Sequence, residues 1–135
     1  MGNVCKIAEG FFMGYVISLL LVLVGLINFA PVAGVLSADK LSQAYALAQL
    51  DNNLAILLRH RALLFGLIGG FLLYSVAVPL YRPAAMTMAA ISMVGFLVFM
   101  FHQGGYNDAL YKVMLIDVVG IVLLALAIGL TYLER

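Results

Sequence analysis

Cysteine and charged residues are scarce in this sequence of 135 residues. Cys5 is the only cysteine, which excludes an intrachain disulfide and a cysteine-rich metal site. Only 10% of the residues are charged and the formal net charge is +1, so the clustered basic surface that binds nucleic acid is missing. The sequence also has no phosphate-binding loop, no Gly-x-Ser-x-Gly motif and no cysteine–histidine nucleophile pair. We therefore expect neither a nucleic-acid partner nor a cofactor.

Apolar residues are abundant instead. They make up 66% of the chain, and the mean hydropathy is +1.17. Soluble domains are only about half apolar. A soluble domain of this length has too little interior to bury so much apolar surface, so we predict a single domain that is solvated by lipid.

Four long apolar runs predict four membrane-spanning helices, at about residues 11–30, 55–81, 83–101 and 113–133. Each run approaches or exceeds the roughly 20 residues that cross the hydrocarbon core of a bilayer. The first run is longer than the core of a signal peptide and lacks a good cleavage site, so we interpret it as a retained span. The predicted fold is all-α: a polytopic membrane protein built as an antiparallel four-helix bundle.

A shorter helix is predicted between the first two spans. Ser37 suits the N-cap of a helix that continues to about Leu50. Its apolar positions fall on one helical face: Leu41, Ala44, Tyr45 and Ala48. The segment is too short and too polar to span, so we expect it either to lie in the membrane interface or to pack on the bundle.

Small residues in the second and third spans predict close helix packing. Gly66 and Gly70 are four residues apart with Gly69 beside them, and residues 85–90 include three alanines. Such spacing lets two helix backbones approach closely. We predict that these faces pack the second span against the third, and a seam between copies of the chain is the alternative.

Six polar side chains fall at the same end of the apolar runs, and one of them lies inside a run. A charge in hydrocarbon is costly unless it has a partner, so such residues mark a functional or architectural site. The six are Arg59, His60, Arg61, His102, Asp108 and, inside the fourth run, Asp117. We predict that the first five bind a ligand, in particular an anion.

Arg61 and Asp117 are predicted to form an ion pair within the membrane. Counted from the expected starts of their spans, Arg61 lies about 9 Å deep and Asp117 about 6 Å deep, at about 1.5 Å per residue. Opposite charges at similar depth, each costly alone, are expected to pair. Two roles stay open for the pair: a structural clamp between two helices, or the handling of a ligand or proton.

His60 and His102 lie at the same end, and histidine can exchange protons near neutral pH. Neither His-x-x-His nor Glu-x-x-His occurs, so we expect no metal. Both histidines are expected to be interfacial residues that form hydrogen bonds, and a role as acid or base in a membrane enzyme is the alternative.

The even number of spans places both termini on one side of the membrane. Three basic residues fall on that side (Lys6, Arg82, Arg135) and two on the other (Lys40, Lys112), once the two arginines of the predicted site are left out. Cytoplasmic loops are richer in lysine and arginine. We therefore predict that both termini are cytoplasmic.

Four segments resemble a family of small bacterial membrane proteins with four spans. The most specific is Leu-Leu-Arg-His-Arg-Ala-Leu-Leu-Phe-Gly at residues 57–66, followed by glycines at 69 and 70. The others are Leu-Ser-Ala-Asp-Lys-Leu at 36–41, Gly-Gly-Tyr-Asn at 104–107 and Asp-Val-Val-Gly at 117–120. The resemblance covers residues 17–130 and implies a helical bundle in the bacterial inner membrane. The family has no established activity.

Members of that family are often labelled phosphopantetheine adenylyltransferase. The label implies a soluble α/β nucleotidyltransferase with a His-x-Gly-His phosphate site. This sequence has neither that composition nor that motif, so we interpret the label as an error for this sequence.

The sequence favours a non-enzymatic bundle that binds or passes a small molecule, such as a lipid headgroup or another anion, near Arg59 and Arg61. Two arginines beside a segment that can close over them suit an anionic group. One alternative is an accessory subunit of a larger membrane complex, in which Arg61 and Asp117 clamp two helices. The second is a membrane enzyme that uses His60 or His102 as acid or base. Membrane lipids are the expected partners, with a homo-oligomer as a further alternative.

Overall fold

The described part of the chain is helical. The computed structural model describes residues 2–48 and 51–133, with the side chains of residues 10–37, 39–48 and 51–133, and contains no strand there. Its α-helices are α1 (Gly2–Phe29), α2 (Ala38–Tyr45), α3 (Asn52–Ala77), α4 (Arg82–Gln103) and α5 (Asp108–Leu133). Leu50 and Arg135, together with the side chains of Cys5 and Lys6, lie outside the described residues.

Four helical segments of the described chain are long and apolar enough to cross a membrane: Gly10–Val35, Asn52–Ala77, Pro79–Gln103 and Asp108–Leu133. Within the most apolar window of each segment, only 22% to 28% of the residues are buried inside the protein. Apolar helices with most of their residues at least partly uncovered are suited to a lipid environment. The predicted all-helical class with four candidate spans is confirmed.

A side-chain cap and a proline set the ends of α3. Asp51 accepts a hydrogen bond from the backbone N–H of Leu54 at 2.7 Å and so caps the start of the helix. The helix ends at Ala77, because Pro79 has no N–H with which to continue it. A 3₁₀ turn, Pro79–Tyr81, then leads directly into α4. The connection between α3 and α4 is therefore short.

The short helix α2 begins where the sequence predicts. The Ser37 side chain accepts a hydrogen bond from the backbone N–H of Lys40 at 3.4 Å, which confirms Ser37 as the N-cap. The helix ends at Tyr45, because Ala46 adopts a left-handed conformation with a φ of 50°. The helix is thus shorter than predicted, and Ala48 lies beyond it.

The glycines of α3 pack against α1 and the 3₁₀ segment Ala30–Val35 that follows it, and not against α4. A methyl group at Gly69 would lie 2.6 Å from the carbonyl oxygen of Gly25 and 2.6 Å from the amide nitrogen of Phe29. A methyl group at Gly66 would overlap the Val32 side chain. Because only hydrogen fits at these positions, the two helices approach closely. The prediction that this face joins the second and third spans is wrong, since the first span occupies it.

The hydrophobic core lies in the half of the bundle next to the turn at 78–81, called the packed half below. Buried side chains from all four long helices meet there: Ile17, Leu21, Leu72, Ala85, Ala89, Leu124 and Ala127. The half next to α2 and the loop at 104–107 is called the open half. Its buried side chains include Asn28 and Asp117, two of the three buried polar residues of the described chain; the third, Ser75, lies in the packed half.

Candidate ligand site in the open half

Two cavities adjoin in the open half. The larger, called the outer groove, has a volume of about 880 Å³ and lies between α3 and α4, next to the loop at 104–106. The smaller, called the inner cavity, has a volume of about 240 Å³ and is walled by α1, the 3₁₀ segment Ala30–Val35, α2, α3 and α5. Arg61 and Phe65 belong to both walls, so they form the partition between the two cavities.

The outer groove is almost entirely apolar. Aliphatic and aromatic side chains of α3 and α4 build most of its wall, among them Leu64, Ile68 and Phe99. Gly95 also lies in the wall, and a methyl group there would meet no atom within 4 Å. Arg61 is the one charged residue among the described residues of this wall. The groove therefore offers an apolar surface with a single cation.

Arg61 is held by aromatic rings and not by an acid. Its guanidinium carbon lies 4.6 Å from the centre of the Phe96 ring and 5.1 Å from the centre of the Phe65 ring. Cation–π contacts stabilise the charge without using the N–H donors. Among the described residues, no group accepts a hydrogen bond from Arg61. Its donors are therefore free to bind a ligand.

Asn28 presents an unpaired oxygen in the interior. The residue is 3% exposed, and its Nδ2 donates to the carbonyl of Val24 at 2.9 Å and to the sulfur of Met93 at 3.7 Å. A carbonyl only accepts hydrogen bonds, so the amide nitrogen must face Val24, and Oδ1 is left without a donor. Asn28 lines the inner cavity, so this unpaired acceptor belongs to a residue of the cavity wall.

Asp117 adds a second unpaired oxygen to the inner cavity. The residue is 7% exposed and lines the cavity, and its Oδ2 is buried without a donor. Lys40 and Arg61 line the same cavity. An uncompensated buried carboxylate costs several kcal/mol, so this arrangement calls for a donor or a positive charge near Asp117.

The predicted pair of Arg61 and Asp117 is brought to one cavity. Both residues line the inner cavity. No direct salt bridge joins the two side chains within the described structure. Direct pairing therefore stays a prediction, and what the geometry provides is two opposite charges in the wall of a shared cavity.

The short helix α2 covers the inner cavity. Leu41, Ala44 and Tyr45, three of the positions predicted to share a face, all line the cavity. Asn107 fixes the end of this cover: its Nδ2 donates to the carbonyl of Tyr45 at 2.8 Å, and its Oδ1 accepts from the backbone N–H of Leu110 at 2.9 Å. One side chain thus joins the end of α2 to the start of α5.

The other predicted site residues lie outside both cavities. Arg59 is exposed, and its Nε donates to the carbonyl of Val35 at 2.9 Å. His60, His102 and Asp108 are exposed and line neither cavity. No three histidine, cysteine, aspartate or glutamate side chains of the described chain group as a metal site would require. Of the predicted ligand-binding residues, only Arg61 faces the cavities.

The site predicted from the sequence leaves out two polar residues of the inner cavity, Asn28 and Lys40. Asn28 does carry a usable signal, because an amide inside an apolar run is costly in the same way as Asp117. Lys40 carries none, since its place in the wall depends on how the connection between α1 and α3 folds back over the bundle.

Comparison of the chain with family models, with curated proteins and with solved structures gives no match. The resemblance to the small bacterial four-span family therefore stays a prediction. Function is inferred from the two cavities.

Proposed function

We propose that this chain is a bacterial inner-membrane protein that binds a membrane lipid, with an acyl chain in the outer groove and the anionic head at Arg61. One observation carries the proposal. The Arg61 guanidinium is the only charge in the described groove wall, and no described residue uses its hydrogen-bond donors. An apolar wall with one placed polar group suits an amphiphilic ligand.

The proposed arrangement in the membrane is an antiparallel four-helix bundle with both termini in the cytoplasm. Contacts that run in opposite directions along the first span (Gly10–Val35) and α3 support this order: Gly25 faces Gly69 and Leu73, and Val32 faces Gly66. In this arrangement α2 lies at the periplasmic interface and covers the inner cavity. The basic residues on the terminal side support the orientation.

The acyl chain fills the outer groove but contributes little to the preference for one lipid over another. The groove volume of about 880 Å³ falls within the range of roughly 300–1,000 Å³ that is usual for ligand pockets. In a bilayer, however, the surrounding tails are as apolar as the groove wall, so an acyl chain gains little by leaving them. Preference for one lipid must therefore come from the headgroup.

Arg61 supplies that preference. A guanidinium binds phosphate or carboxylate through two parallel hydrogen bonds, and hydrogen bonds to charged groups contribute about 1.5–3 kcal/mol each. The rings of Phe65 and Phe96 hold the guanidinium in place, so less rotational freedom is lost on binding. The anionic head therefore determines which lipid is retained.

Filling the groove tests the proposal. Gly95→Leu places a side chain where nothing lies within 4 Å, and Gly129→Leu is the matched control, because this exposed glycine of α5 also has open space and lines neither cavity. Native mass spectrometry of the full chain in mild detergent measures the phospholipid retained. We expect the wild type and Gly129→Leu to keep lipid and Gly95→Leu to lose most of it. Equal retention by both variants contradicts the proposal.

The alternatives have different support. An accessory subunit or a homo-oligomer also fits apolar helices that are largely uncovered, and it predicts additional protein chains in the same spectra. An enzyme that uses His60 or His102 has less support, because both residues are exposed and outside the two cavities.

A further inference from the structure

The inner cavity holds hydrogen-bond acceptors that no described donor satisfies. Oδ1 of Asn28 and Oδ2 of Asp117 are both buried and unpaired, and both residues line the cavity. Leaving buried acceptors without donors is costly, and most of all for a carboxylate. We infer that the inner cavity binds a primary ammonium group next to a phosphate, as part of the head of the lipid proposed for the outer groove. The inference rests on the proposed function and adds the chemistry of the headgroup.

A primary ammonium suits the two acceptors. It offers three N–H donors and carries the charge opposite to that of Asp117. The protein does not supply this charge itself, because neither Lys40 nor Arg61 forms a salt bridge with Asp117 in the described structure. A divalent metal fits less well, since Ca²⁺ and Mg²⁺ take about six or more oxygen ligands. Two unpaired oxygens in a wall with two cations do not meet that demand.

The size of the cavity favours an organic group over a single bridging water. Its volume of about 240 Å³ is roughly eight times the ~30 Å³ that one water occupies in the liquid. A single water bound to Asn28 and Asp117 would leave most of that space empty. An aminoethyl group fills more of it and brings three N–H donors for the two unpaired oxygens.

Arg61 places the phosphate between the acyl chain and the ammonium. Because Arg61 lies in the partition, a phosphate bound to it has the outer groove on one side and the inner cavity on the other. Lys40 adds a second positive charge to the inner wall. A phosphoethanolamine head has two carbons between its phosphate and its ammonium. Its negative phosphate would face Arg61, and its positive ammonium would face Asp117.

Two lipids that differ only in the head test the inference. Phosphatidylethanolamine and phosphatidylcholine with identical acyl chains share the phosphate, but the methylated ammonium of choline has no N–H to donate. The full chain in mild detergent receives equal amounts of both, and native mass spectrometry counts the lipid retained. We expect phosphatidylethanolamine to be preferred by roughly ten- to a hundred-fold, the effect of one hydrogen bond to a charged group.

The outcomes of this comparison separate the two proposals. Equal retention of both lipids overturns the ammonium inference and leaves the proposed lipid binding intact. Retention of neither lipid, and of no phosphatidylglycerol, overturns both. The wild-type protein alone gives these results, so the test does not depend on whether a variant folds.

Asp117→Asn then assigns the preference to the inner cavity. The substitution removes the charge with little change of shape, so the variant should retain lipid through Arg61 but lose the preference for phosphatidylethanolamine. Asp51→Asn is the matched control, because Asp51 is exposed, lines neither cavity and caps α3, and asparagine caps a helix equally well. A preference that survives in folded Asp117→Asn overturns the assignment.

Free phosphoethanolamine distinguishes a lipid head from a soluble ligand with the same chemistry. If phosphatidylethanolamine binds and free phosphoethanolamine does not, the acyl chain is required and the lipid is supported as the source. If free phosphoethanolamine binds as tightly as the lipid, and Gly95→Leu alters neither, the ammonium site is supported and the lipid assignment is overturned.

Discussion

Arg82 in the packed half of the bundle and Arg61 in the open half are used differently. In the packed half, Arg82 donates to the carbonyl of Ser75 at 3.4 Å and to the hydroxyl of Ser18 at 3.0 Å. Ser75 lies in the last turn of α3, where carbonyls have no partner within the helix, so Arg82 completes that helix end. In the open half, Arg61 lies against two phenyl rings and donates to no described residue. Arg82 is thus structural, whereas the donors of Arg61 are unused.

The other polar residues of the open half also differ in whether their hydrogen-bonding groups have a partner in the protein. Arg59 and Asn107 each donate to the last carbonyl of a helical segment, and that contact explains why they are polar. Asn28 and Asp117 each retain a buried oxygen without a donor, and no helix end explains them. In a membrane helix, what a polar side chain contacts therefore says more about its role than its position along the sequence.

Two glycines provide the sharpest test of the difference in packing. Gly69→Ala places a methyl group 2.6 Å from backbone atoms of α1, whereas Gly95→Ala meets nothing within 4 Å. We expect Gly69→Ala to lower the free energy of unfolding by about 1–3 kcal/mol, the usual cost of overpacking. Gly95→Ala should be neutral or stabilising, because alanine favours the helix. Unfolding in micelles with increasing dodecyl sulfate measures both, and equal stabilities would refute the tight contact.

The same substitution at the two arginines tests their roles directly. We expect Arg82→Met to lower the free energy of unfolding by about 1–3 kcal/mol, because it removes two hydrogen bonds of roughly 0.5–1.5 kcal/mol each. Arg61→Met should leave unfolding nearly unchanged and reduce lipid retention about tenfold or more, since it removes the anion contact. Micelle unfolding and native mass spectrometry measure the two effects. If Arg61→Met instead unfolds the protein and Arg82→Met releases the lipid, the roles assigned to the two arginines are wrong.

The two halves also differ in how far the sequence predicts them. Apolar runs suffice to predict the spans, because a helix in lipid must satisfy its own backbone hydrogen bonds. The Ser37 cap could also be predicted, because it depends on residues within one helical turn. The inner cavity depends instead on tertiary placement, namely the close approach of α1 to α3 and the fold of α2 over the bundle. One part was within reach: Arg59 and Arg61 are two residues apart, about 200° around a helix, so they cannot share a face.

Asn107 allows a finer test of the cover over the inner cavity. Asn107→Ala removes both the cap of α5 and the bond to Tyr45, so we expect the free energy of unfolding to fall by about 1 kcal/mol. Asn107→Asp keeps an oxygen for the cap and removes only the donor to Tyr45. Amide hydrogen exchange over residues 38–45 should therefore rise in both variants, with stability lowered mainly in the first. Unchanged exchange in both would show that Asn107 does not hold α2.

The smallest expected effect is the coupling between Arg61 and Asp117 in lipid-free protein. The two charged residues line one cavity without a direct salt bridge. A double-mutant cycle with Arg61→Met and Asp117→Asn should therefore give a coupling free energy of about 0.5 kcal/mol, the low end for neighbouring residues. A closed buried pair would instead cost roughly 3–5 kcal/mol when either partner is removed. Micelle unfolding of delipidated protein measures the cycle, and added phosphatidylethanolamine should raise the coupling by bridging both side chains. A coupling near 3 kcal/mol without lipid would mean that the charges close on each other, and the site would then be a clamp between α3 and α5.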